Sequence, residues 1–335
     1  MISEHLTQFA GWSVVEWQPD APIADPAGTL PRIALTYEEI EGPSPGLLER
    51  LTSLFRTPAR EPGRGQMTWP DKLALFLEDD AAASVPGLVV GAWGPVYREE
   101  THSGPIVAAL VAARDRLPGV KALFIGDVIS EECEISWIQQ SDLSPLYAAY
   151  PDLEHLGVRG SDGLSLGTLS LPRLKTLVLQ SGGLPGRIVR QVAAAELPEL
   201  EHLELWLGVD DCGGDATLAD LSPILEGDRF PKLRYLGLRD SELADEIAAA
   251  VARAKVLDRV RVLDLSLGTL SDEGAAALIE SPAVARLEKL DIHYHYCSEA
   301  MVANLMRLGI AVDASDPQET EWDGPEPSRY VAVSE

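Results

Sequence analysis

Gly163-Leu164-Ser165-Leu166-Gly167 fits the pattern G-x-S-x-G. On a sharp strand-to-helix turn that pattern exposes a serine hydroxyl as a nucleophile, with an acid and a histidine supplied later in the chain. The residues that follow, TLSLPRLKTLVL, run straight into another strand-like unit and not into a buried helix, so a hydrolase is not expected. Ser181-Gly182-Gly183-Leu184-Pro185-Gly186-Arg187 is rich in glycine, as phosphate-cradling turns are. It lacks the Lys-Ser/Thr of a P-loop and the spacing of a dinucleotide fingerprint, and reads as an ordinary turn. Cys133, Cys212 and Cys297 are far apart and odd in number, which argues against a disulfide framework or paired metal knuckles. Each reads as a small buried hydrophobe. Asp210-Asp211 and Glu131-Glu132 are neighbours in sequence, so their side chains splay apart and make no acid/base pair. His155, His202 and His293 recur at comparable places, with His295 beside the last. A metal needs three or four ligands converging at about 2.0–2.2 Å. At roughly 4.8 Å per strand, His155 and His202 lie near 10 Å apart. No metal, no cofactor and no catalytic set is expected, and the chain is not read as an enzyme.

These residues are placed by a phrase that recurs seven times: apolar, two residues, apolar, one residue, apolar. The copies are VKALFI from Val120, LEHLGV from Leu153, LKTLVL from Leu174, LEHLEL from Leu200, LRYLGL from Leu233, VRVLDL from Val260 and LEKLDI from Leu287; VPGLVV from Val85 is a weaker eighth. Successive starts lie 35, 33, 21, 26, 33, 27 and 27 residues apart, the period of stacked supersecondary units. Alternation at the last apolar positions marks a short strand with one buried face. After most copies comes a turn and then a helical stretch. In the unit from Val260, Leu270 enters the core and Ser271 is a helix N-cap. Asp272 and Glu273 favour the positive helix end, Ala276 to Ile279 bury its face, and Pro282 stops it. In the unit before, Leu243, Ile247 and Val251 repeat every four residues, as one helix face does. A strand, a turn and a helix returning to a parallel strand is a right-handed crossover. Stacked in register it bends, with strands inside and the wider helices outside.

L-x-x-L-x-L followed by L-S-D-E-G-A-A-A-L resembles the leucine-rich repeat family, in particular its helical, ribonuclease-inhibitor-like variety of bacterial cytoplasmic type. The resemblance covers about Val85 to Val312. It implies an α/β leucine-rich repeat solenoid, with a curved parallel sheet on the concave face and helices on the convex face. The family usually places Asn or Cys three residues after the last strand leucine. Here Val128, Ser161, Gly182, Gly208, Ser241, Gly268 and His295 stand there, so the turn hydrogen bonds must be met otherwise. The uneven spacing implies an uneven solenoid, with the 174 copy too short for a full helix.

Residues 1–84 do not follow the repeat. Val14 to Trp17 and Arg32 to Tyr37 read as strands, Pro45 to Phe55 as an amphipathic helix, Arg56 to Trp69 as a basic Pro/Gly-rich loop, and Lys72 to Leu77 as helix or strand. An open solenoid end exposes backbone and apolar surface, so an N-terminal α+β cap is expected over 1–84 and the solenoid over 85–313. Residues 314–335 are acidic with three prolines and read as a flexible tail.

Net charge is −26, from 53 acids against 27 bases. Such a field repels nucleic acid and anionic lipid. Solubility is its simplest account, and a basic partner surface is the functional one. The start, MISEHLTQFAGWSVVEW, has neither a basic n-region nor an apolar h-region. Ala81 to Tyr97, free of Asp, Glu, Lys and Arg, is too short and too interrupted by proline and glycine to span a membrane. A reducing, cytoplasmic setting is expected.

In the family that the repeat resembles, side chains between the strand leucines point to the inner surface. This predicts an exposed column of Phe124, His155, Arg159, Thr176, Gln180, His202, Glu204, Trp206, Tyr235, Arg239, Asp264, Ser266, Lys289, Asp291 and His293. Trp, Tyr and Arg dominate binding hot spots, so a protein-binding patch is expected around the 200, 233 and 260 copies. The expected function is non-catalytic protein–protein interaction on the concave face. A regulatory subunit of an enzyme complex, or an enzyme with its site in residues 1–84, are the alternatives.

Overall fold

The repeat phrase becomes one continuous sheet. A computed structural model describes residues 2–23, 25–41, 67–321 and 328–334. The expected helix over Pro45 to Phe55, the loop from Arg56 up to residue 66, and Trp322 lie outside the described residues. Twelve strands stand in chain order among those described: β1 (Gln8–Phe9), β2 (Trp12–Glu16), β3 (Thr29–Ile33), β4 (Gly87–Val90), β5 (Ala122–Ile125), β6 (His155–Arg159), β7 (Thr176–Gln180), β8 (His202–Gly208), β9 (Tyr235–Ser241), β10 (Val262–Asp264), β11 (Lys289–Asp291) and β12 (Ala311–Asp313). β1 and β2 form an antiparallel hairpin. Every later neighbour is parallel.

The register is set by leucine. Leu88, Leu123, Leu156, Leu177, Leu203, Leu236, Leu263 and Leu290 are Cα partners in succession, and each is fully buried. Because strand side chains alternate, slipping one rung by one residue would turn its leucines out of the core. Helices return the chain on that buried side: Trp69–Phe76, Gly104–Ala113, Pro145–Ala149, Gly186–Ala194, Leu218–Leu225, Ala244–Val251, Asp272–Ile279 and Glu299–Leu305. Their starts follow local chemistry. Thr68 with Asp71, and Thr217 with Asp220, form capping boxes, and the Ser271 hydroxyl accepts from the Glu273 amide.

Three expectations are corrected. The unit without a helix is the one from Leu153, since the chain between β6 and β7 is irregular while Gly186–Ala194 follows β7. Only 21 residues separate those two starts, too few for a strand, a helix and two turns. β2 and β3 fall in the segment expected as the N-terminal α+β cap and continue the parallel sheet into β4, so the sheet begins well before residue 85. The segment expected as strand from Arg32 to Tyr37 ends its strand at Ile33, and Lys72 to Phe76 is helical. Finally, residues 328–334 of the expected flexible tail are docked, with Val331 and Val333 buried.

The turns also show what stands in for the asparagine ladder. The Ser161 hydroxyl meets that of Ser181 at 2.6 Å and donates to the Gly183 carbonyl at 2.8 Å. The Ser241 hydroxyl accepts from the Leu243 amide. The Thr269 hydroxyl donates to the Glu242 carbonyl. His295 Nδ1 accepts from the Cys297 amide while Nε2 contacts the Ala314 carbonyl. Ser161, Ser241 and His295 thus bond turn groups at three of the seven positions, and Thr269 does so beside a fourth.

Asp240 lies in this layer, fully buried and with φ of 53°. Its Oδ1 accepts from the Val333 amide at 2.9 Å, and its buried Oδ2 meets no hydrogen-bond criterion with the described residues. Burial pushes its carboxyl up to about 8, against the opposing pull of the Val333 amide and Arg239. A carboxyl raised in the folded state contributes stability below its unfolded value, and that contribution is lost as pH rises to the folded value. Asp240→Asn keeps the shape and tolerates positive φ. Between pH 5 and pH 8 the native chain is therefore expected to lose stability relative to the variant, by up to about 1.4 kcal/mol per pH unit. Urea unfolding of both proteins across that range measures it; parallel pH profiles would refute the assignment.

Candidate interaction face

The face opposite the leucines carries three rows of side chains, and every residue of the expected column lies on it. The central row runs Val89, Phe124, Gly157, Val178, Glu204, Gly237, Asp264, Asp291, Asp313. Its first half is apolar or bare, and its second half is acidic. One flanking row holds His155, Thr176, His202, Tyr235 and Lys289; the other holds Arg159, Gln180, Trp206 and Arg239, then Ser266 and His293 beyond the strand ends.

The first half is not open, which corrects the expectation of a single exposed column. The β1–β2 hairpin and the residues before it fold across it. Phe9 meets Phe124 edge-on at 5.3 Å between ring centres, and Trp12 meets His155 at 5.8 Å. Phe9, Leu30, Val89, Ala122 and Phe124 form a second apolar cluster on this side of the sheet. Arg159 is 2 % exposed and Phe124 1 %. Burial pushes His155 down to about 4, so it stays neutral, and its Nδ1 meets the Thr176 hydroxyl. Gln180 Oε1 accepts from Arg159 Nε at 2.9 Å.

Asp127 pins this cover. Fully buried, it accepts from the Leu6 amide at 3.1 Å, from Arg32 Nε at 2.7 Å and from Arg159 Nη1 at 3.3 Å. Burial opposes its charge, but His5, Arg159 and Arg32 together hold its carboxyl below the usual carboxylate range. Desolvation pushes Arg159 down to about 10, still charged at neutral pH. Arg32 also pairs with Glu16 at 2.7 Å. His5, Arg32 and Asp127 were not among the sequence candidates. The readable signal was the apolar stretch Val89, Phe124, Gly157, Val178 along one row, which demands a cover.

The second half is a ladder of carboxylates, each held by a neighbouring cation or donor. Glu204 Oε1 accepts from Trp206 Nε1 at 2.7 Å and from Arg239 Nη1 at 3.0 Å. Arg239 also reaches Asp264 at 3.3 Å and lies 5.1 Å over the Trp206 ring. The Tyr235 hydroxyl donates to Asp264 at 2.5 Å; burial, with the charges of Glu204 and Asp264, raises its pKa strongly. His202 stacks on Tyr235 at 3.8 Å, and its Nε2 is 3.4 Å from Glu204. Gly237 is the floor, since a Cβ there would stand 3.1–3.4 Å from Tyr235, Glu204 and Arg239. One rung on, Asp291 binds Lys289 and His293, each at 2.7 Å. Burial opposes the Asp291 charge; those two partners overcome it and hold the carboxyl far below its usual range, while Asp291 raises His293. His202, Tyr235, Arg239, Lys289 and His293 keep partial exposure, whereas Glu204, Trp206, Asp264 and Asp291 are packed beneath them.

Ligand atoms of Asp291, His293 and Asp313 lie within 4.8 Å of one another. The Lys289 ammonium, 2.7 and 3.6 Å from the two carboxylates, already supplies a cation there. The other chemical candidates are accounted for locally. Ser165 lies in the irregular segment after β6, and its hydroxyl accepts from the Gly167 amide. At the glycine-rich turn, Gly186 donates its amide to Asp215 at 2.6 Å, so a carboxylate of the chain faces that helix start. Burial pushes the thiols of Cys133 to about 11 and Cys297 to about 12, so both stay protonated.

Sheet, helices and inner face together define a leucine-rich repeat solenoid. No family model and no curated protein matches the chain. A solved structure of a Bacteroides fragilis protein is 30% identical, with a TM-score of 0.75, covering 91% of this chain and 77% of that one. The chain belongs to the same family as that protein. An internalin from Listeria monocytogenes also matches, at 14% identity and a TM-score of 0.37, over 71% of this chain and 56% of the other.

Asp127→Asn tests the cover. It leaves Arg159 buried without its counter-charge and Arg32 paired chiefly with Glu16, and a broken buried pair costs about 3–5 kcal/mol. The variant is expected to unfold at correspondingly lower urea and to exchange the Leu6 amide faster. Unchanged exchange at Leu6 would show that Asp127 does not hold the segment.

Proposed function

We propose that the chain is a non-catalytic protein-interaction module that holds a protein partner on the inner face of β8 to β12. The observation that carries this reading is the contrast between the two halves of that face. One half is sealed by the chain's own first residues. The other presents His202, Tyr235, Arg239, Lys289 and His293 over a packed ladder of acids. Aromatic and arginine side chains held in place by their neighbours bind with little further loss of freedom. The ladder has four carboxylates, Glu204, Asp264, Asp291 and Asp313, against the permanent cations Arg239 and Lys289, which favours a partner with a basic surface. The helical connections support placement in the ribonuclease-inhibitor-like variety of leucine-rich repeat. Among the described residues no helix is long and apolar enough to cross a membrane. The three free cysteines accord with the cytoplasmic setting we propose.

Trp206 is a poor choice for a test, because its indole holds Glu204 beneath the surface. His202→Ala with Lys289→Gln changes the exposed layer instead. Affinity capture from extract of the source cells is expected to retain a partner on the native chain and lose it at least tenfold on the double variant. The melting temperature should stay within about 4 °C, as for surface changes. Arg173→Glu, away from this face and exposed, should capture as the native chain does. Equal capture by the double variant would place the partner elsewhere.

A further inference from the structure

Residues 328–334 lie across the loops through which the later strands leave the sheet, one contact after another. The Tyr330 amide and carbonyl both bond the Tyr296 hydroxyl, each at 2.9 Å. The Ala332 amide donates to the Leu267 carbonyl at 2.8 Å, and the Val333 amide to Asp240 Oδ1 at 2.9 Å. The Ser334 carbonyl accepts from the Ser136 hydroxyl at 2.8 Å and from Cys212 Sγ at 2.7 Å. Val331 and Val333 are buried while Tyr330 is exposed and Ala332 half-buried. Backbone bonds with alternate side chains in pockets are how an extended peptide is recognised along a protein edge. The floor is made for close approach, since a Cβ on Gly182 would stand 2.7 Å from the Ser334 carbonyl. Ser136 and Cys212, which bond the Ser334 carbonyl, also line a cavity of about 330 Å³ beside Trp137, Pro185, Arg187 and Asp211, and Trp137 is 58% exposed. A handful of hydrogen bonds and two valines must offset the ordering of seven residues, so the docked segment is held close to balance.

We propose that this edge is a binding groove for an extended peptide of a partner protein with the apolar–x–apolar–serine pattern of Val331 to Ser334, and that the chain's own segment is its tethered occupant. This surface is separate from the inner face and stands whether or not that face binds a partner. The experiment adds a fluorescently labelled peptide, SRYVAVS, to the full chain and to the full chain carrying Val331→Asp and Val333→Asp. Anisotropy is expected to show saturable binding to the double variant and at least tenfold weaker binding to the native chain, whose own segment competes. The same peptide with Val333→Asp is expected to bind neither. Gly182→Ala, added to the double variant, should weaken binding at least tenfold. A folded double variant that does not bind the peptide overturns the proposal, as does equal binding to both chains. A double variant that fails to fold also overturns it, because a displaceable segment tolerates the change.

Discussion

The structure depends on one unbroken parallel backbone ladder from β2 to β12. Its hydrogen bonds fix the rung spacing, and its register fixes which side chains share a face. With the leucine column on one side, the residue one place along, in every repeat, is committed to the other. Glu204, Asp264, Asp291 and Asp313 share a row because Leu203, Leu263, Leu290 and Val312 share the row beside it. The carboxylate ladder is a by-product of register, and the cations beside it answer the repulsion that register creates.

Charge divides the inner face. In the first half a single buried aspartate, Asp127, is enough to draw two arginines and a backbone amide together under the N-terminal segment. In the second half the acids are spread along the rungs and neutralised in short local pairs. The first arrangement closes surface and the second leaves it accessible.

Much of this was legible in the sequence, for a physical reason. The strands, their parallel order and the membership of the inner face follow from a period-two pattern repeated at compatible spacing, which is local information. Ser271 as a cap was legible likewise. The exposure of the inner face was not, because Phe9, Trp12 and Asp127 act across long stretches of chain. Nothing near His155 tells that Trp12, more than a hundred positions earlier, packs against it. The docking of Val331 and Val333 was hidden for a different reason: a short apolar pair in a polar, proline-bearing stretch has no partner until the loops it crosses are assembled. The helix-free unit was miscounted by one repeat because its short spacing belongs to the copy that begins it.

The segment from Tyr330 to Ser334 also changes what kind of object the stack is. A repeat array held only by contacts between neighbours loses its terminal units one at a time, each on its own account. Here a strip of chain from beyond the last rung reaches back to Cys212 and Ser136, beside rungs near the middle. While it is in place, fraying of the last repeats must also release the strip, which ties that end to the middle by the free energy of its docking. Once the strip leaves, the same repeats become independent again, and cooperativity itself would report whether the strip is seated.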